Sequence, residues 1–367
     1  MLLAVVVLPV AAAKPAPALL DPKTIPKWVN QLNGPPPVFV PVTGNQYEIT
    51  AKKITQQLLP APLPKTTVFA YGGLAKDALT GAPLGPIWNS PAPSFEATRG
   101  TPIQVKWVNQ ITGPHIFPVD PTLHWADPNG MGMPLQPFLG FPPGYTQAQS
   151  PVAIITHVHG LEVQSSSDGN PDAWFTVNGI QGPEYSGGPS GANYAVFDYP
   201  NAQPATTLWY HDHALGLTRL NPTAGLAGFY FLRDSADAVA PLLPSGKYEV
   251  PLAIQDRTFY ADGSLFFPTV GVNPTIHPYW VPEFFGNTIM VDGLIWPNMN
   301  VDRGQYRFRL LDGSNARFYT LSFSNKMPFT MIGTEGGYLK APVTLTELTI
   351  APGERADILV DFSKIPA

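Results

Sequence analysis

Four of the seven histidines in this 367-residue chain stand in two His-x-His pairs. The first is Thr156-His157-Val158-His159-Gly160 and the second is Tyr210-His211-Asp212-His213-Ala214. Both follow runs with strand character. On a strand, residues i and i+2 point to the same side, about 7 Å apart along the chain, so each pair presents two imidazoles to one face. Neutral imidazole is the commonest metal ligand and suits zinc, copper, iron and nickel. Two such pairs drawn from so few histidines point to metal binding. The spacing leaves the metal open, because four imidazoles could close a tetrahedral zinc site or form half of a larger copper cluster.

The other histidines carry no such signal. His115, His124 and His277 stand alone beside Pro114, Trp125 and Pro278 and read as loop histidines. Asp168-Gly169, about ten residues beyond the first pair, reads first as a tight-turn dipeptide. A carboxylate there could also handle protons beside a metal, and the two readings are compatible. The chain has no cysteine, which excludes disulfides, thiolate metal sites and a cysteine nucleophile. It contains no G-x-S-x-G elbow, no H-E-x-x-H and no phosphate-binding loop.

Strands must position these histidines. Ile103, Val105 and Trp107 alternate with Gln104 and Lys106, the period of a half-buried strand. Further strand signals lie near 47–51, 68–71, 152–156, 194–197, 206–210 and 227–232. A composition shift at 234–247 predicts a domain boundary. A second series follows at 249–254, 288–291, 306–311, 319–323, 345–350 and 356–362. With 33 glycines and 44 prolines, helical bundles are excluded and short strands joined by turns are expected, a β-sandwich in each half. A net charge of −5 argues against nucleic-acid binding. Charged residues make up only 13%, low for a bare surface, which suits a covered face. Residues 2–13, LLAVVVLPVAAA, have the shape of a secretory signal and are too short to span a bilayer. No other run is apolar and long enough for a membrane helix. Export from the cell is expected.

Residues 156–175, THVHGLEVQSSSDGNPDAWF, and 207–234, TLWYHDHALGLTRLNPTAGLAGFYFLRD, resemble the first cupredoxin domain of a multicopper oxidase of the spore-coat laccase and bilirubin oxidase branch. YRFRLLDGSNARFY at 306–319 and APGERADILVDF at 351–362 resemble that family's second domain. The resemblance implies an all-β chain of tandem cupredoxin-like Greek-key sandwiches. A Pro-rich extension would occupy 14–45, the first domain 46–235, and an incomplete second domain 246–367. It further implies that His157 binds a type 2 copper, that His159 and His211 bind one type 3 copper, and that His213 binds the other. Asp168 falls where the family has an acidic residue that assists protonation of oxygen. The implied reaction takes electrons from a phenolic or tetrapyrrole-like reductant, or a metal ion, and reduces O₂ to water. Four further cluster histidines and the type 1 copper belong to the family's third domain, whose Cys has no counterpart here. The chain is therefore expected to be a fragment without a type 1 site, completed by that domain or by a partner chain supplying it. Competing readings are a non-catalytic copper-binding or scaffold protein, and a zinc hydrolase using Asp168 or Asp212 as base.

Overall fold

The structure is a computed structural model, and it describes residues 17–132, 148–269, 271 and 281–364. The signal-like run and His277 lie outside the described residues. In the first half the strands are β1 (Val38–Phe39), β2 (Gln46–Gln56), β3 (Thr66–Lys76), β4 (Pro83–Asn89), β5 (Ala92–Thr98) and β6 (Ile103–Asn109). They continue as β7 (Ala153–Ile154), β8 (Thr156–His159), β9 (Phe175–Thr176), β10 (Tyr194–Tyr199), β11 (Thr206–Asp212) and β12 (Ala227–Arg233). One sheet path runs β10-β6-β2-β3-β1-β5-β12-β11-β8, with β4 paired to β3. The α-helical content of the described residues is the single turn α1 (Asn221–Ala224).

The first core is aromatic. Phe95, Trp107, Tyr71 and Tyr210 are buried, with ring centroids 5.3–6.0 Å apart. Burying a large apolar side chain contributes about 1.5–3 kcal/mol, provided its polar tip is satisfied. Here the tips are satisfied. Tyr210 OH donates to Pro93 O at 2.7 Å, Trp107 Nε1 donates to Tyr199 OH at 3.0 Å, and Tyr71 OH meets Thr156 Oγ1 at 2.8 Å. The last contact ties β3 to the residue immediately before His157.

The second half comprises β13 (Glu249–Arg257), β14 (Thr288–Val291), β15 (Leu294–Ile295), β16 (Gln305–Asp312), β17 (Tyr319–Ser322), β18 (Phe329–Thr334), β19 (Gly337–Leu345), β20 (Glu347–Ile350) and β21 (Arg355–Asp361). Seven of these form one sheet in the order β15-β14-β13-β16-β21-β18-β19, and β17 pairs with β20. An apolar groove of about 240 Å³ opens between the two sheets, lined by Leu252, Phe308, Phe323, Phe329, Leu348 and Phe362.

Two features join the halves. Phe229, Phe231, Ala227 and Trp209, on the outer face of β11 and β12, pack on Ala253 and Leu311 of the second unit. Beside them runs a charged seam in which Glu249 Oε1 accepts from Arg233 Nη1 and Arg309 Nε, both at 2.6 Å, and Arg309 Nη1 donates to Thr207 Oγ1 at 2.7 Å. The second feature is an N-terminal arm. Leu20 N–H donates to Phe259 O, Ala261 N–H to Ala18 O, and Trp28 N–H to Trp296 O. The arm thus crosses the second unit before Val38 and Phe39 enter the first sheet between β3 and β5. The Pro-rich stretch expected to precede the first domain therefore contains a strand of its sheet.

Most strand expectations match, and the exceptions have physical reasons. The run 152–156 is not one strand. Ile155 N–H is taken by Asp212 Oδ2 at 2.9 Å, so β7 turns away to pair with β9 and β8 starts afresh at Thr156. The run 345–350 breaks at Thr346, where the chain changes sheets. β4 went unforeseen because Pro83, Gly85 and Pro86 speak against a strand. It lies off the main sheet path, where missing ladder donors are tolerated.

Candidate metal centre

β8 and β11 are antiparallel neighbours, and His157 pairs directly with His211 while His159 pairs with Trp209. Thr156 and Val158 are buried inward, so the two histidines of β8 face the opposite way. His211 and His213 come to the same face. The ring centroids lie 5.9 Å apart for His157–His159, 5.4 Å for His157–His211 and 5.2 Å for His157–His213. They lie 5.6 Å apart for both His159–His211 and His211–His213. The structure thus brings all four together. Nitrogens of His157, His159 and His211 lie within 4.8 Å of one another.

Hydrogen bonds settle which nitrogens are free. His157 Nδ1 donates to the carbonyl of Asp168 at 2.6 Å, and His211 Nδ1 donates to the carbonyl of Asp212 at 2.8 Å. Each ring therefore keeps its Nε2 lone pair, the arrangement by which metal-binding histidines are oriented. His159 Nδ1 stands 3.4 Å from His211 Nε2. Two nitrogens bound at 2.0–2.1 Å to one tetrahedral ion would be about 3.3 Å apart, so this pair fits a shared metal. His213 Nδ1 is buried without a hydrogen-bond partner, an open valence that a metal satisfies. The donor set is all imidazole, which suits copper and zinc.

Burial favours the neutral form of three of the rings. It lowers His159 to about 4, with the Arg355 guanidinium acting in the same direction. It pushes His211 well below its ordinary value and lowers His213 as well. Neutral imidazole is the form that binds metal. Between the second pair, Asp212 is buried and raised to about 7 by burial. Its Oδ1 accepts from Asn221 Nδ2 at 2.7 Å and from Ala214 N–H at 3.0 Å. Asn221 Oδ1 in turn lies 2.9 Å from His115 Nε2. Phe117 N–H donates to His115 Nδ1 at 2.9 Å, so Nε2 carries the proton and the chain runs His115, Asn221, Asp212. His115 stands in a loop, as its sequence suggests, yet it is buried and braces the turn holding His211 and His213. The exposed His124 joins none of this.

Asp168 caps a short 3-10 turn, Ser165–Ser167, and its Oδ1 lies 3.3 Å from His157 Nδ1. Gly169 must be glycine. Its φ is +79°, and a Cβ there would meet Thr156 O at 2.3 Å. Turn and carboxylate are thus both present. An open cleft of about 400 Å³ between the two units is lined by His159, His211 and His213 and walled by Trp209, Arg219, Asn315 and Gly353.

Paired strands that array imidazoles on the outer face of a β-sandwich, docked on a second sandwich, define a cupredoxin-like metal protein. Known proteins agree. The multicopper oxidase family model matches residues 284–367. A rice protein named multicopper oxidase LPR1 homolog 1 is 41% identical over 82% of this chain and 46% of its own length. A laccase of Bacillus subtilis is 37% identical over 93% of this chain and 60% of its own length. The crystal structure of the McoA multicopper oxidase of Aquifex aeolicus superposes with a TM-score of 0.65, at 28% identity, over 92% of this chain and 58% of that one. The chain belongs to the multicopper oxidase family, and it spans about half to three fifths of the length of these relatives.

Proposed function

We propose that this chain supplies half of the imidazoles of a copper cluster that reduces O₂ to water. His157 holds the type 2 copper, His159 and His211 hold one type 3 copper, and His213 holds the other. The observation that carries this reading is the convergence of four imidazoles at 5.2–5.9 Å ring separations on one face of β8 and β11. The two sandwiches, 46–235 and 246–367, are then the first and second cupredoxin domains of a larger oxidase. The remaining cluster histidines and the type 1 site belong to a third domain that covers the open cleft.

Bound copper supplies the one-electron chemistry that links a phenolic or tetrapyrrole-like reductant to O₂. The residues of this chain do the rest. His157 is held in one tautomer by the Asp168 carbonyl, which keeps Nε2 directed to the metal. Reduction of O₂ to two waters consumes four electrons and four protons, so the site needs a proton path. The Asp168 carboxylate, about half exposed and 3.3 Å from the His157 ring, links solvent to the cluster. Residues 2–13 direct the protein out of the cell in this reading. Among the described residues no helix is long and apolar enough to cross a membrane.

The test is the double variant His157→Ala/His159→Ala in the enzyme carrying its third domain. Type 2 and type 3 copper signals should vanish while the blue type 1 absorption stays. Retained O₂ reduction would sink the assignment. Zinc without copper, after expression with both metals, would favour a hydrolase instead.

A further inference from the structure

The second sandwich reaches into the histidine cluster through one turn. Residues 351–354 lead into β21, and Gly353, at φ +86°, lies against His159 and Trp209. A Cβ at 353 would meet His159 Cε1 at 3.4 Å and Trp209 Cζ2 at 3.8 Å. His159 is therefore confined between the Trp209 ring, stacked at 5.4 Å, and this backbone, with Nδ1 facing His211. The turn is pinned by Arg355, whose side chain is 1% exposed. Its Nη1 donates to Gly353 O at 2.9 Å and pairs with the Glu335 carboxylate. Its Nε crosses to the first unit and donates to Thr207 O on β11 at 3.0 Å. Its Nη2 lies beneath Gly160, directly after His159, where a Cβ would stand 2.8 Å away. One planar fork thus touches the end of β8, the start of β11 and the turn against the imidazole.

We propose that Arg355 is a positioning residue for His159: it locks the Gly353 turn and the ends of β8 and β11 together, so that docking of the second sandwich sets the ligand geometry of the first. The inference rests on the reading of His159 as a metal ligand. It requires the guanidinium fork rather than a positive charge, since three separate acceptors in a fixed plane are engaged.

The test titrates Cu²⁺ into the whole chain and reads affinity and the EPR spectrum of the bound ion. The variants are Arg355→Lys, Arg355→Gln, Glu335→Gln, Arg309→Gln and His159→Ala. Circular dichroism checks that each is folded. Arg355→Lys and Arg355→Gln should weaken Cu²⁺ binding about tenfold and shift the spectrum alike, because lysine keeps charge but not the fork. Glu335→Gln should move both in the same direction by less, and it carries the test if the Arg355 variants do not fold. Arg309→Gln, which crosses the same seam to Thr207 Oγ1 without touching the His159 wall, should change neither. The inference is overturned if folded Arg355 variants bind Cu²⁺ as the parent does, or if Arg309→Gln produces the same shift. Should His159→Ala itself leave spectrum and affinity unchanged, the ligand reading beneath the inference fails, an outcome distinct from the other two.

Discussion

At the scale of single residues, the cluster is held by groups that never face the cleft. His115 is the clearest. Its Nδ1 accepts from Phe117 N–H at 2.9 Å, and its ring is buried away from water. Burial depresses it to about 4. The folded value lies below the unfolded one, near 6.5, so its contribution is complete above pH 6.5 and declines as pH falls toward 4. Relative to His115→Gln, the parent should lose about 3 kcal/mol of stability between pH 7 and pH 4, measured by urea unfolding at each pH. A second prediction concerns Asp168→Asn. It keeps the carbonyl that orients His157 and removes the carboxylate charge, so Cu²⁺ affinity of the chain should fall about tenfold in titrations with its fold unchanged. The two histidine pairs were legible in the sequence because a period of two is a local signal. The tightness of the Asp168 turn against β8, and the partnership of His115 with a residue 106 positions away, are set by tertiary contacts and leave no local mark.

At the scale of elements, the seam between the units decides how firmly β11 is held. Glu249 is mostly buried, which alone would raise its carboxyl. The guanidiniums of Arg309 and Arg233 outweigh burial and hold it at about 2. Its folded value is depressed below 4.5, so the stabilisation is present above pH 4.5 and is lost as pH falls toward 2. Replacing Glu249 by Gln leaves buried Arg309 without a carboxylate partner and Arg233 with Glu96 alone, and should cost about 3–5 kcal/mol at pH 7, read from the denaturant midpoint. Sequence periodicity found the strands that alternate, such as β6, and those that are continuous apolar runs, such as β12. It missed β18 and β19, where partial exposure on an edge hairpin dilutes the pattern. It also merged β7 with β8, since the carboxylate that separates them, Asp212, lies 57 residues away.

At the scale of the whole molecule, the N-terminal arm ties the first unit to the second. Ile25 is buried in a core that also includes Phe259, Phe267 and Ile295 of the second unit. Removing residues 1–36 should therefore split one cooperative thermal transition into two, as followed by calorimetry, while an arm without this role would leave a single transition. The turn-rich stretch at 234–247 lies between β12 and β13, which belong to different sheets, and it is visible in the sequence, whereas the arm's path was not legible, because its contacts are backbone pairings with residues far along the chain. That path has a consequence for synthesis. Ala18 emerges from the ribosome roughly 240 residues before its partner Ala261. At about 5–20 residues per second the arm waits roughly 12–50 s with its hydrogen bonds to Phe259 and Ala261 unmade. From the end of that interval until Leu311 follows, roughly 80 residues after Phe231, the nascent first sandwich displays Phe229 and Phe231 to the surrounding medium, because Leu311, which helps cover them, is still to be translated. The histidine cluster is thus spelled out early and braced late, and the stretch between is when a holding chaperone would find the most to bind.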